Sequence, residues 1–168
     1  MYTWQDTGLD AATRARALLA ELTLDEKVAQ LGSFWDRGGP AQADDSAAEE
    51  ETPHRDVAPM ESAMKQLDWD ETVRDGLGHL TRIFGTAPVT VAEGRATLRA
   101  RGDEVAARSR LGIPPLVHEE CLTGLTAYGA TVYPAAIAWG ATWRPELIEE
   151  MAAAIGADMA ALGVHQGL

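Results

Sequence analysis

The hydrophobic positions of this chain alternate between a helical and an extended spacing. Across residues 10–22, Leu18, Leu19 and Leu22 gather on one face of a run rich in Ala, Leu, Arg and Glu, which predicts an amphipathic helix. Thr23 with Glu26 three residues on forms a capping box that starts a second helix. In it Leu24, Val28 and Leu31 repeat at i, i+4, i+7 and are expected to face the core. Ser33-Phe34-Trp35, entered through Gly32, predicts a first strand, and residues 76–85 a second with a glycine-bounded exit. Residues 90–110 are helical, opening on a Thr90 and Glu93 capping box with Leu98, Val105 and Leu111 roughly on one face. A Gly/Pro break then leads into residues 113–117, whose apolar character is that of a strand covered on both faces. The clearest helix comes last. Pro145 suits its first position, Ile148, Met151, Ile155, Met159 and Leu162 step by 3 or 4, and Gly163 sits where a glycine cap belongs. Val164 to Leu168 then begin another strand.

Strands alternating with helices imply βαβ units with right-handed crossovers, hence an α/β fold with a parallel sheet. The pattern breaks at residues 36–51, where Gly, Pro and Ala mix with Asp44-Asp45 and Glu49-Glu50-Glu51. A mobile acidic insertion is expected at about residues 36–62 of what is otherwise a single domain over residues 1–168. It has neither the turn glycine nor the spacing of a calcium loop.

Composition narrows the partners. A net charge of −12 over 168 residues argues against nucleic acid or an anionic membrane, both of which need a basic footprint. A neutral sugar is indifferent to it. The single cysteine makes no internal disulfide, and Met1-Tyr2-Thr3-Trp4-Gln5-Asp6 lacks the basic and apolar regions of a secretory signal, so a cytoplasmic location is expected. No apolar run approaches the roughly 20 residues that span a bilayer.

The chemistry concentrates in Leu116-Val117-His118-Glu119-Glu120-Cys121-Leu122-Thr123-Gly124, where a strand delivers one imidazole and two carboxylates in succession. The carboxyl ends of strands in α/β proteins are where ligands bind. Glu119 and Glu120 cannot both be catalytic, because neighbours on an extended chain point to opposite sides and only one faces a substrate. No metal is expected. The zinc-protease helix motif needs a second His where Leu122 stands, and the zinc-deaminase signature needs two cysteines where there is only Cys121. Cys121 reads as a small buried hydrophobe and His118 as a residue that orients its neighbours by hydrogen bonding. Structural roles are favoured for His79 and Arg82, and core packing for Trp139 and Trp143. His165 and Gln166 open the last strand, with no role assigned.

The run Ser109-Arg110-Leu111-Gly112-Ile113-Pro114-Pro115-Leu116-Val117-His118-Glu119-Glu120-Cys121-Leu122-Thr123-Gly124, followed by Tyr128-Gly129-Ala130-Thr131-Val132-Tyr133-Pro134 and by Ala141-Thr142-Trp143-Arg144-Pro145-Glu146-Leu147, resembles the N-terminal barrel domain of family 3 glycoside hydrolases. Within that family it is most similar to the bacterial β-xylosidase and β-glucosidase branch. Residues 18–31 resemble the family's opening helix pair. The implied fold is the N-terminal part of a (β/α)8 TIM-type barrel, incomplete here, since the three or four units counted fall short of a closed barrel of about 250 residues. The chain is thus expected to be a fragment.

The resemblance also implies a function: retaining hydrolysis of terminal β-D-xylosyl or β-D-glucosyl residues, on a β-linked oligosaccharide or an aryl or alkyl glycoside, with no cofactor. Retention requires two carboxyl groups about 5 to 5.5 Å apart. In the family these come from later segments, so no catalytic residue is assigned within this chain and the fragment is expected to be inactive. Glu120 takes the position of the acid that binds hydroxyls at the non-reducing end of the glycone, with His118 and Glu119 as supporting residues. Its partners are then the remainder of its own barrel and a C-terminal domain. Many members carry His where this chain has Thr123, and many β-glucosidases have Asp at the position of Glu120; the longer Glu fits the xylosidase-like branch. The alternative from another class is a non-catalytic half-barrel that binds a carbohydrate or a partner chain through the apolar surface its missing half would cover.

Overall fold

A computed structural model describes residues 2–35 and 67–168. The expected acidic insertion at about 36–62 lies outside the described residues. Four strands form one parallel sheet in the order β1-β2-β3-β4: β1 (Ser33–Trp35), β2 (His79–Thr81), β3 (Leu116–Glu119) and β4 (Gln166–Gly167). The helices are α1 (Ala11–Glu21), α2 (Leu24–Ala29), α3 (Trp69–Thr72), α4 (Val91–Arg108), α5 (Ala136–Gly140) and α6 (Pro145–Leu162).

Alternation along each strand divides the sheet into two faces. Phe34, Leu80 and Val117 stand side by side in register and pack with Val105 of α4 and Ile155 and Met159 of α6 in one buried cluster. The opposite face carries Ser33, Trp35, His79, Leu116, His118 and Gln166. It is open, and Leu116 upon it is 38% exposed.

The caps read from the sequence are present. Thr23 and Thr90 each accept the N–H of a Glu three residues on and receive its carboxylate on their own N–H. Gly163 caps α6 at φ 86°, which only glycine reaches without strain. Gly94 on α4 answers to a different constraint: a β-carbon there would overlap the ring of Phe84.

Four expectations are corrected. Leu24, Val28 and Leu31 do not face the core; they are 75%, 59% and 87% exposed. Helix α2 ends at Ala29 and is held instead by Arg110, whose guanidinium binds both Glu26 carboxylate oxygens at 2.8 Å and the Glu21 carbonyl at 2.7 Å. Strand β3 starts three residues later than its apolar run, because Pro114 and Pro115 have no N–H to give a ladder; pairing begins with the Leu116 N–H on the Gly78 carbonyl. Trp143 is not in the core. It sits in a turn at φ 54° and is 90% exposed, whereas Trp139 packs against the core edge-on to Tyr133. Cys121 is half-buried rather than buried, its sulfur lying where a β-carbon on Gly167 would have to go.

Candidate active site

The carboxyl ends of the first three strands bring Trp35 of β1, Arg82 just beyond β2, Glu119 of β3 and Glu120 just beyond it to one end of the sheet. The two carboxylates part as alternation requires. Glu119 turns to the helix side, fully buried, where its Oε1 accepts the Phe84 N–H at 2.8 Å. Burial pushes its pKa up to about 7, against the pull of the Phe84 and Gly85 N–H groups and the Arg82 charge. Glu119 is therefore a pin for the turn that leaves β2. It does not face a substrate.

Glu120 follows one residue beyond β3 and is half-buried; continued strand alternation would turn it to the opposite, open side. Its charge reaches His118, whose pKa is lowered by burial and by the His79 charge while Glu120 opposes the shift. Its carbonyl accepts the Thr126 N–H at 2.9 Å, tying the strand end to the loop that follows. A cleft of about 370 Å³ opens between the two exit loops, lined by Gly85, Thr86 and Pro88 on one side and Thr123, Thr126 and Tyr128 on the other; Glu120 is not part of its lining.

His118 has a partner that the sequence alone did not connect to it. Its Nδ1 lies 3.3 Å from Nδ1 of His79 on the neighbouring strand, with ring planes at 68°. One imidazole must donate and the other accept, so the contact requires at least one of them to be neutral. The signal was there in principle: parallel register sets Thr81 against His118, which leaves His79 one step below on the same face.

Arg82, for which a structural role is expected, is held at the exit of β2 by contacts within the fold. It adopts φ 58°, its N–H donates to the His118 carbonyl at 3.2 Å, and its carbonyl accepts the Thr86 hydroxyl at 2.6 Å. The guanidinium carbon lies 4.4 Å from the centroid of the Trp35 ring, and the Trp35 indole N–H donates to Thr86 at 2.8 Å. Nothing in the sequence distinguishes this arginine from a solvated one except its position at a strand end. His165 is structural: its Nδ1 accepts the Val117 N–H at 3.0 Å and fixes β4 against β3. No group of three or more His, Cys, Asp or Glu able to hold a metal ion is present among the described residues, and no helix among them is long and apolar enough to cross a membrane.

The model of the glycosyl hydrolase family 3 N terminal domain matches residues 23–168. The chain belongs to this family. It is 46% identical over 66 residues to a β-xylosidase of Formosa agariphila, a stretch covering 36% of this chain and 9% of that protein. It also superimposes, over 100% of its length and with a TM-score of 0.72, on a solved β-glucosidase from Erythrobacter marinus, at 28% identity and over 19% of that chain. The chain thus spans less than a fifth of the length of either protein. The parallel sheet with its helix layer is part of the family 3 TIM-type barrel, and the open face is the one that lines the barrel interior. Glu120 combines a carboxylate, partial exposure and a position just past the carboxyl end of β3.

Proposed function

We propose that this domain supplies the glycone clamp of a retaining β-glycosidase, the whole protein removing terminal β-D-xylosyl or β-D-glucosyl residues from a β-linked oligosaccharide or an aryl or alkyl glycoside. One observation carries the reading: in a family 3 barrel domain, Glu119 is fully buried and consumed as an anchor, which leaves its half-buried neighbour Glu120 as the carboxylate of the pair available to a ligand. A carboxylate there accepts hydrogen bonds from sugar hydroxyls, and these strengthen as the ring distorts toward an oxocarbenium-like transition state. The nucleophile and the acid/base are assigned to parts of the protein outside residues 1–168, and no metal or organic cofactor is required. The β-xylosidase likeness and the length of Glu120 favour a pentose, since a longer acid leaves less room for a hexose hydroxymethyl group.

The test is hydrolysis of p-nitrophenyl β-D-xyloside, β-D-glucoside and the α-xyloside by the native gene product. Release from the β-linked substrates with net retention at the anomeric carbon is the expected result. No release from any β-glycoside would overturn the assignment, and faster release from the glucoside would overturn the pentose preference.

A further inference from the structure

Arg82 has an unusual set of properties for a residue that nothing in the resemblance assigns. Its backbone takes φ 58°, a conformation that a residue with a β-carbon adopts only against a steric penalty. Such strain persists where the surroundings impose it, and it clusters at ligand sites. Its effect here is directional. Thr81 lies on the open face, so the next residue on an extended strand would point to the helix layer; the left-handed turn instead brings the guanidinium over Trp35, which belongs to the open face. Thr86 locks the arrangement from both sides, donating to the Arg82 carbonyl and accepting from the Trp35 indole. The guanidinium lies over the indole ring, yet its buried Nε has no acceptor among the described residues. A stacked guanidinium presents a rigid fork of donors, and a buried donor without an acceptor is unfavourable until one arrives.

We propose that Arg82 is a substrate-binding residue, donating from the far side of the sugar that Glu120 accepts from. A vicinal pair of hydroxyls can use both a donor and an acceptor, and Arg82 and Glu120 offer one of each on adjacent strand ends. The Glu120 carboxylate at the neighbouring strand end disfavours an anionic ligand, so the chemical class is a neutral pyranose. This inference rests on the glycosidase reading above.

The test uses the native full-length enzyme, p-nitrophenyl β-D-xyloside as substrate and free D-xylose as competitive inhibitor. Arg82→Gly removes the guanidinium while suiting φ 58°, so its melting temperature is expected to equal or exceed that of the native protein. Its kcat/KM is expected to fall at least about tenfold, with the inhibition constant for xylose rising by a similar factor. Arg82→Gln, which keeps a β-carbon and stem, is expected to show the same weakening of xylose, so the result does not hinge on how one variant folds. If xylose inhibition stays within about twofold of native in both variants, Arg82 is a structural brace and the inference is overturned while the glycosidase reading stands. A native enzyme that cleaves no β-glycoside overturns both.

Discussion

The Glu119 carboxylate and the Phe84 backbone N–H, on different strand exits, meet at 2.8 Å inside the fold. The folded protein holds the Glu119 proton up to about pH 7, whereas the unfolded chain releases it near 4.5. Folding stability therefore falls as pH rises from about 4.5 to 7 on account of this group and is flat above, a contribution of roughly 3 kcal/mol. Glu119→Gln keeps an acceptor for Phe84 and cannot ionise. Denaturant unfolding of native and variant proteins at pH 5 and pH 8 should show the variant gaining relative to native at the higher pH. An unchanged difference between the two pH values would mean that Glu119 is not buried in this way.

His118 pulls the other way in much of the same window. Its lowered pKa means that the unfolded chain takes up a proton, below about pH 6.5, that the folded one resists. Stability due to this group is present above 6.5 and declines as the pH drops below it, as the His79 contact at 3.3 Å would suffer from two charged rings. His118→Asn should remove that acid-side loss. The two substitutions thus bend the pH profile of stability in opposite senses: Glu119→Gln leaves a steeper loss toward acid, His118→Asn a steeper loss toward alkali. Parallel shifts in both variants would contradict the assignment.

Much of this architecture was written in residue spacing. The capping boxes at Thr23 and Thr90, the 3–4 stepping from Ile148 to Leu162 and the glycine at 163 are local signals, and each appears where it was expected because the physics that sets it is local. The rule that adjacent carboxylates diverge was also legible, but which of Glu119 and Glu120 faces inward is decided by the Phe84 turn, 35 residues away. What failed depended on distant partners. Leu24, Val28 and Leu31 carry a helical apolar spacing, yet these residues are largely exposed and the helix is docked by Arg110. The His79 and Arg82 contacts needed strand register and a positive φ, neither of which a run of residue types displays.

Glu120 separates binding from folding. It is half-buried where Glu119 is fully buried, so Glu120→Gln should leave the melting temperature close to native. Exchanging a charged acceptor for a neutral one weakens each hydrogen bond to sugar, and kcat/KM for p-nitrophenyl β-D-xyloside in the native enzyme is expected to fall by about 10- to 100-fold. Unaltered steady-state kinetics would remove Glu120 from the sugar site.

Gly94 offers a check on the packing that supports the site. It lies within α4, where alanine is ordinarily the better residue by about 1 kcal/mol. Here the added methyl would strike the Phe84 ring, which is 2% exposed and whose own N–H is the group that Glu119 holds. The ring cannot withdraw without straining that hydrogen bond, so overpacking should outweigh propensity and Gly94→Ala should destabilise the protein by about 1–3 kcal/mol. Combining it with Phe84→Leu, which removes ring atoms while leaving the backbone N–H in place, should recover part of the loss. A Gly94→Ala variant as stable as native in denaturant unfolding would show that α4 sits farther from the β2 exit turn than this packing requires.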